Sequence, residues 1–191
     1  MKSNKYTEDY ELIRRCGEGD TSAFRQLVYK HKDVSLSLVL SIIKDKVIAE
    51  DVLQEVFIKV YHKLHTFKFK SSFSTWLYRI VVNTSYNELK KRKDHVRIDH
   101  IEEHTFSLSI EAGDRLGMQD QKKYIDLALL KLNEDEALIL RLFYLCELSI
   151  KEIEGITSFK QSKIKVGLHR GRENLSFHLR QLLGEDIDQL L

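Results

Sequence analysis

The side chains with the clearest chemical potential in this 191-residue sequence are basic ones near its end. A polar series recurs there at helical spacing, and an apolar series containing Ile164 and Leu168 lies on the opposite face. Lysine and arginine neutralise phosphates, and lysine also donates hydrogen bonds to guanine edges. The pattern therefore predicts an amphipathic helix that binds DNA. Its polar and flanking residues are Lys160, Gln161, Lys163, Lys165, Val166, His169, Arg170 and Arg172.

Local signals place a second, short helix just before this basic one. Ser149 and Glu152 have the spacing of a capping box, and Leu148 and Ile153 have that of a hydrophobic staple. We expect the short helix to end near Gly155, so that a tight turn joins it to the basic helix. A short capped helix, a turn and a basic helix together predict a helix-turn-helix. Upstream, Asn133 and Glu136 predict a further helix start, with Glu136 as the reciprocal cap.

A polar helix face is predicted in the first half of the chain. Asp51, Gln54 and Glu55 share one face of a helix, because they are three or four residues apart. An ordinary solvated acidic face is the alternative. A metal site built from Glu50, Asp51, Glu55 and His62 is a weaker interpretation, because no convergent histidine pair accompanies them, and no metal or cofactor is predicted.

Aromatic and basic residues alternate just before the next helix, through Phe67, Lys68, Phe69 and Lys70. Single-stranded bases are held by aromatic stacking beside positive charge, so this segment is a candidate for binding unpaired bases. In the helix that follows, Trp76 could equally belong to the core. The basic cluster that closes this helix could be a solvated helix end or a set of phosphate contacts; it consists of Lys90, Lys91, Arg92 and Lys93.

Apolar periodicity predicts an all-α protein of two small domains. The 42% apolar content suffices for a core, and the absence of proline suits a chain that is nearly all helix. The first domain, residues 1–93, carries 18 basic and 11 acidic side chains, and the second covers residues 119–191. Between them we expect a flexible acidic linker, residues 94–118. Four helices are predicted in the first domain, from about Thr7 to Gly17, Thr21 to Ile43, Lys46 to His65 and Ser74 to Lys93.

Several classes of protein are excluded by composition. No apolar run is long enough to cross a membrane, and no secretory signal precedes the first helix, so we expect a cytoplasmic protein. Cys16 and Cys146 lie far apart and without neighbouring ligands, which predicts neither a disulfide framework nor a zinc site.

Two sets of motifs, in order along the chain, resemble bacterial sigma factors of the sigma-70 family, extracytoplasmic-function (ECF) group. Residues 148–153 and 164–172 are similar to that group's region 4, which is a helix-turn-helix. Residues 49–57 resemble region 2.2, and residues 73–80 together with Asn83 resemble regions 2.3 and 2.4. The resemblance covers nearly the whole chain.

The resemblance implies a role for each set of residues. Asp51, Gln54 and Glu55 would dock on core RNA polymerase. Promoter DNA at the minus-10 element would meet Phe69, Lys70, Trp76, Asn83, Lys90, Lys91, Arg92 and Lys93. At the minus-35 element, base contacts would come from Lys165, Val166, His169 and Arg170, and phosphate contacts from Lys160, Lys163 and Arg172.

The basic helix departs from the family pattern at several positions. Gly167 and Gly171 replace a basic residue and an alanine, and interior glycines cost roughly 1 kcal/mol each, so we expect a softer helix. Ser158 and Lys160 also depart from the pattern. Because Ser158 and Gln161 have capping-box spacing, we expect the helix to begin two residues earlier than in relatives.

The predicted function is therefore non-enzymatic: a sigma factor that directs core RNA polymerase to promoters in transcription initiation. The resemblance also implies control by an anti-sigma factor, often membrane-anchored, and no small-molecule substrate. A polymerase-independent helix-turn-helix transcription regulator is the alternative, but it leaves the Asp51, Gln54, Glu55 face and the aromatic segment unexplained. A nuclease would need clustered carboxylates or histidines around a metal, and the sequence offers no such motif.

Overall fold

The computed structural model of the chain describes residues 3–96 and 118–184. Within those ranges every regular element is helical, which confirms the predicted all-α class. Most of the expected acidic linker, residues 97–117, lies outside the described residues. The α-helices are α1 (Ser3–Gly17), α2 (Thr21–Ile43), α3 (Lys46–Lys63), α4 (Phe73–Val96), α5 (Met118–Lys131), α6 (Glu134–Leu140), α7 (Ile150–Thr157) and α8 (Gln161–Leu183).

Two helices of the first domain, α2 and α3, begin at aspartate caps. The Asp20 carboxylate accepts hydrogen bonds from the backbone N–H groups of Ser22 and Ala23 at 2.8 and 3.2 Å, so α2 begins at Thr21. Asp45 caps α3 in the same way, through the backbone N–H of Ile48 at 3.1 Å. Each cap satisfies N–H groups that have no partner inside the helix.

The first domain is built around α2, which packs against α1, α3 and α4. Its core is made of aliphatic side chains at helical spacing, with Val52, Val56 and Val60 contributed by α3. After α3 the chain makes one 3-10 turn, Leu64–Thr66, and the aromatic segment then leads into α4. The third α-helix therefore ends at Lys63, two residues before the predicted end at His65.

In the second domain α8 packs against α5, α6 and α7. Asn133 caps α6, as predicted, by accepting the backbone N–H of Glu136 at 2.8 Å. The carboxylate of Glu136, however, accepts a hydrogen bond from Asn174 of α8 at 2.9 Å, in place of the expected reciprocal bond to the cap. A π-helical turn, Arg141–Leu145, extends α6, and Arg141 is buried in an ion pair with Asp126 at 3.0 Å.

The two domains are in direct contact in this structure. Helix α2 packs on α6, and α4 packs on α7, so that buried apolar side chains of both domains form one cluster. A hydrogen bond from the Lys44 ammonium to the main-chain carbonyl of Leu132 also crosses the boundary. The relative placement of the domains therefore brings the end of α4 close to the helix-turn-helix.

Candidate polymerase and DNA interfaces

Helix α3 presents the polar face that the sequence predicts. Asp51 and Gln54 are exposed, and Glu55 is partly exposed and ion-paired with Lys59, one turn later, at 2.6 Å. Val52 and Val56 lie on the buried side of the same helix. The three predicted side chains are thus brought together on the solvent side of α3.

Apolar residues that the sequence analysis did not single out extend this face. Val47, Ile58 and Tyr61 are 71%, 59% and 55% exposed, and the Tyr61 ring packs edge-on against Phe24 of α2 at 5.0 Å between centroids. Together with Asp51 and Gln54 they recur at alternating intervals of four and three residues, and we call this set the α3 stripe. Such spacing is the seam by which one helix packs along another helix. The spacing was visible in the sequence, but only the structure shows that these apolar residues are exposed.

The aromatic segment before α4 divides into buried and exposed rings. Phe67 and Phe73 are buried, whereas Phe69 is half exposed and has a left-handed backbone, with φ of 54°. The Phe69 ring rests edge-on against Tyr10 of α1, at 5.1 Å between centroids. Trp76 is partly buried and lies 5.5 Å from the Phe67 ring. Phe69 is consequently the ring of this segment best placed to stack on a base.

The remaining residues predicted for the minus-10 element lie along α4 and beside its start. Lys70, Asn83, Lys90 and Lys93 are exposed. Lys91 is exposed too, with Glu88 at 3.7 Å, and Arg92 is partly buried. The charges of Lys90 and Lys93 are therefore available to a polyanion.

The helix-turn-helix has the predicted scaffold. The Ser149 hydroxyl accepts the backbone N–H of Glu152 at 3.3 Å, and the Glu152 carboxylate accepts the backbone N–H of Ser149 at 2.8 Å, which confirms the capping box. Both staple positions, Leu148 and Ile153, are buried.

The prediction of an early start for the basic helix is wrong. Ser158 caps the end of α7, with a left-handed backbone of φ 61°, and α8 begins at Gln161. The side chain of Gln161 turns back to α7 and donates to the Glu154 carboxylate at 2.7 Å. A residue that reverses the chain after one helix cannot also be the extended cap of the next, which is why the sequence spacing misled.

Helix α8 and Lys160, the residue just before it, expose most of the side chains predicted for the minus-35 element. Lys160, Lys165, Val166, His169 and Arg170 are all exposed, with Val166 at 49%. Two of the side chains predicted to contact phosphates instead bond to other residues of the chain. Arg172 donates to the Tyr144 hydroxyl at 3.1 Å. The Lys163 ammonium lies 2.6 Å from the Asp135 carboxylate and 3.6 Å from the centre of the Phe159 ring.

The two glycines of α8 have a packing role. A Cβ atom placed on Gly167 would lie 2.6 Å from the Cδ1 atom of Ile139, and one on Gly171 would lie 3.2 Å from Leu140. Glycine therefore permits the close approach of α8 to α6. These two glycines depart from the family pattern, and for that reason a soft helix was expected. In the structure they lie where α8 packs tightly against α6.

Residues 3–96 and 118–184 contain no group of three or more histidine, cysteine or acidic side chains that could hold a metal ion. No helix among them combines the length and the apolar character needed to cross a bilayer.

Comparison with known proteins identifies the family of the chain. The family model for Sigma-70 region 2 matches residues 27–95, and that for Sigma-70, region 4 matches residues 122–175. The chain is 31% identical over 179 residues to the ECF RNA polymerase sigma factor SigW of Bacillus subtilis, covering 89% of this chain and 96% of the relative. It is 31% identical over 184 residues to the ECF RNA polymerase sigma-E factor of Escherichia coli K12, covering 92% and 96%.

Solved structures show the same fold. The sigma factor RpoE of Bartonella quintana, in complex with the anti-sigma factor NepR, matches with a TM-score of 0.68 and 22% identity, over 82% of this chain and 96% of that one. CnrH, in complex with the cytosolic domain of CnrY, matches with a TM-score of 0.60 and 20% identity, over 91% and 98%.

Two helical domains, the second with a capped helix-turn-helix, place the chain among bacterial transcription initiation factors. More particularly, it belongs to the ECF group of the sigma-70 family of RNA polymerase sigma factors. Members of this family are initiation factors and not enzymes, so the prediction of a non-enzymatic protein is confirmed.

Proposed function

We propose that this protein binds core RNA polymerase through α3 and brings it to promoters, while α4 and α8 contact the minus-10 and minus-35 elements. The observation that carries the polymerase contact is the α3 stripe, which leaves Val47, Ile58 and Tyr61 exposed beside Asp51 and Gln54. Large exposed apolar side chains that share one helix face with exposed polar ones favour a protein partner over solvent. Bond formation between nucleotides would be the work of the polymerase alone.

The DNA contacts divide by the chemistry of the exposed side chains. Lys165 and His169 can donate hydrogen bonds to base edges in the major groove, and Val166 can contact a thymine methyl group. Phe69 can stack on an unpaired base at the minus-10 element, next to the exposed charge of Lys70. The basic end of α4 suits backbone phosphates, which position the protein but do not specify a sequence.

Control by an anti-sigma factor belongs to the same proposal. Both solved structures described above contain a partner: RpoE is bound to the anti-sigma factor NepR, and CnrH is bound to the cytosolic domain of CnrY. We expect this chain to act in the cytoplasm, where promoter DNA and polymerase are found, and to be held inactive there by such a partner.

Run-off transcription with purified core polymerase on a genomic library tests the proposal. We expect promoter-specific transcripts that require this protein, and their aligned start sites would define both promoter elements. The absence of any specific transcript across the library would contradict the proposal. Tight, sequence-specific binding to duplex DNA by the protein alone, without effect on the polymerase, would favour an independent transcription regulator.

A further inference from the structure

A small pocket lies between α3 and α4, within the first domain. Its volume is about 330 Å³, which is in the range of pockets that bind small ligands. Helix α3 contributes Glu55 and Lys59 to its walls, and α4 contributes Thr84, Asn87, Lys90 and Lys91. We call it the α3–α4 pocket. Three ammonium groups and a single carboxylate line it, so its charge favours an anion.

Lys59 is the side chain that joins the two helices across this pocket. Its ammonium lies 2.6 Å from Oε1 of Glu55, one turn earlier on α3, and donates to Oγ1 of Thr84 on α4 at 3.4 Å. The side chains of Lys59 and Glu55 are 36% and 43% exposed, so both charges are partly withdrawn from solvent. An ammonium group has three hydrogens, and these contacts use two of them. The third can be donated to a ligand.

Helix α4 adds neutral donors beside this charge. Thr84 is only 4% exposed, yet it lines the pocket, and Asn87 and Lys91 follow it on α4 at intervals of three and four residues. Residues at that spacing share one face of a helix. A hydroxyl group, a side-chain amide and ammonium groups are all hydrogen-bond donors, and bonds from charged donors to an anion are the strong ones. A buried hydroxyl among such donors distinguishes the pocket from an ordinary lysine-rich surface.

We propose that the α3–α4 pocket binds a phosphate group, held by Lys59 at its centre and by donors of α4 around it. This goes beyond the function proposed above, which assigns no ligand to Lys59, Thr84 or Asn87. Phosphate suits the pocket because it offers several acceptor oxygens at once to donors from two helices. The phosphate can belong to a DNA strand, since Lys90 is part of the basic end of α4, or to a free molecule.

The ion pair of Lys59 with Glu55 sets the sign of two substitutions. A phosphate competes with the Glu55 carboxylate for the Lys59 ammonium and is repelled by the carboxylate charge. Loss of the ammonium should therefore weaken phosphate binding, and loss of the carboxylate charge should strengthen it. A residue with a merely structural role would not give effects of opposite sign.

Titration of the full-length protein with inorganic pyrophosphate at constant ionic strength, followed by the NMR shifts of backbone amides, tests the proposal. For the wild type we expect saturable shifts concentrated in residues 55–59 and 84–91, which line the pocket. Lys59→Met and Thr84→Val should each weaken binding at least about five-fold, because each removes a donor to a charged ligand. Glu55→Gln should strengthen binding about two-fold or more, because a partly exposed competing charge is removed.

Matched controls are available on the same two helices. Lys46→Met removes an exposed ammonium at the start of α3, and Ser85→Ala removes a buried hydroxyl that donates to the Val81 carbonyl within α4 at 2.9 Å. Both should bind pyrophosphate as the wild type does. Thermal unfolding followed by circular dichroism establishes that each variant folds, and the partly exposed Lys59 tests the site even where Thr84→Val does not fold. Shifts spread evenly over all basic surfaces, or equal affinities for pocket and control variants, would overturn the proposal.

A single-stranded oligonucleotide distinguishes the two sources of phosphate. For single strands, the slope of log K against log salt changes by about 0.7 for each phosphate neutralised, so a strand phosphate in the pocket predicts a slope shallower by about 0.7 for Lys59→Met. Lys46→Met should keep the wild-type slope in the same fluorescence anisotropy assay. An unchanged slope for Lys59→Met, together with its loss of pyrophosphate binding, would assign the pocket to a free phosphate-bearing molecule. Failure of the proposed function would appear in promoter-specific transcription and would leave the pyrophosphate affinities unaltered.

Discussion

At the scale of single residues, the most deeply buried carboxylate among the described residues of the first domain is that of Asp9. The Asp9 carboxylate of α1 is 4% exposed, and it lies 2.8 Å from the Lys30 ammonium and 3.3 Å from Nε2 of His31. The His31 ring in turn packs edge-on against Phe73, at 5.2 Å between centroids. This cluster fastens α1 to α2 beneath the start of α4, so it supports the aromatic segment from inside.

Removing the Asp9 charge should destabilise the protein. Asp9→Asn leaves two basic side chains facing a neutral amide, and breaking a buried ion pair costs several kcal/mol, so we expect the free energy of unfolding to fall by about 2–4 kcal/mol. Glu8→Gln is the control, because Glu8 contacts the same lysine at 2.6 Å from a side chain that is 66% exposed. That change should cost less than about 1 kcal/mol. Equal losses in urea unfolding would refute the buried-pair interpretation.

The same residue gives a pH dependence with a definite sign. Burial alone would raise the pKa of Asp9, but hydrogen bonds from His31 and Lys30 outweigh it and hold the pKa below its ordinary value of 3.8. The ionised form therefore stabilises the fold fully above pH 3.8, and this contribution disappears as the pH falls through the lower folded-state pKa. The stability gap between the wild type and Asp9→Asn should thus narrow below pH 3.8. Urea midpoints measured from pH 7 downward check this, and a gap that widens in acid would be incompatible with it.

At the scale of secondary-structure elements, α8 owes its position to glycine. The approach of α8 to α6 leaves no room for a side chain at Gly167, because Ile139 is 1% exposed and its Cδ1 atom occupies the place of a Cβ. The contrasting residue is Gly155 in α7, where a Cβ would meet Nη2 of Arg79 at an ordinary 3.5 Å. Helix propensity favours alanine over glycine at both positions. Packing opposes alanine only at Gly167.

Alanine substitutions should therefore have opposite effects at these two glycines. Gly155→Ala should raise the free energy of unfolding by up to about 1 kcal/mol through helix propensity. Gly167→Ala should lower it by about 1–3 kcal/mol through overpacking, in spite of the same gain in propensity. The double variant Gly167→Ala with Ile139→Val should recover stability over Gly167→Ala alone, because Ile139→Val removes the atom that clashes. Additive losses in urea unfolding would show that the close contact has no energetic consequence.

The helices themselves were largely predictable from the sequence, because their signals are local. The caps at Asn133 and Ser149 act on residues three positions away, and both bonds to the helix N–H groups formed as expected. The sequence pattern does not predict helix α5, because its apolar residues form only a partial stripe, which packs against α8. The prediction that Ser158 caps the start of α8 was wrong. Sequence spacing alone does not distinguish a residue that caps the start of one helix from a residue that ends the helix before it, and Ser158 ends α7.

The candidate surfaces were only partly predictable, for the opposite reason. The exposure of Asp51 and Gln54 follows from helix periodicity. The ion pair of Lys163 with Asp135 depends on how α6 and α8 pack, which no local pattern contains. Similarly, alternation of phenylalanine and lysine identified the aromatic segment, but not that Phe69 is the exposed ring.

At the scale of the whole molecule, the α3 stripe should be an apolar contact with the polymerase as well as a polar one. Ile58→Asp would place a charge in the middle of the proposed interface, and we expect it to weaken core binding by at least ten-fold, because an unpaired charge would be desolvated. Ile125→Asp is the control at a partly exposed isoleucine of α5, with 36% of its surface exposed. Fluorescence titration with core polymerase checks this, and equal losses for both variants would exclude a specific contact.

The last prediction is that the two domains contact different macromolecules, the polymerase and the minus-35 DNA. Gln54, on α3, and Lys165, on α8, are both exposed polar residues at helix surfaces, but they belong to different domains. Gln54→Ala should weaken core binding several-fold, by roughly 1 kcal/mol, while the preference among minus-35 sequences stays unchanged. Lys165→Ala should leave core binding intact and reduce discrimination at one base pair by about 1–3 kcal/mol. Titration with polymerase and transcription from a set of minus-35 variants separate the two effects. Equal losses of core binding for both substitutions would mean that both residues lie in one interface with the polymerase. The assignment of the two surfaces to different macromolecules would then be wrong.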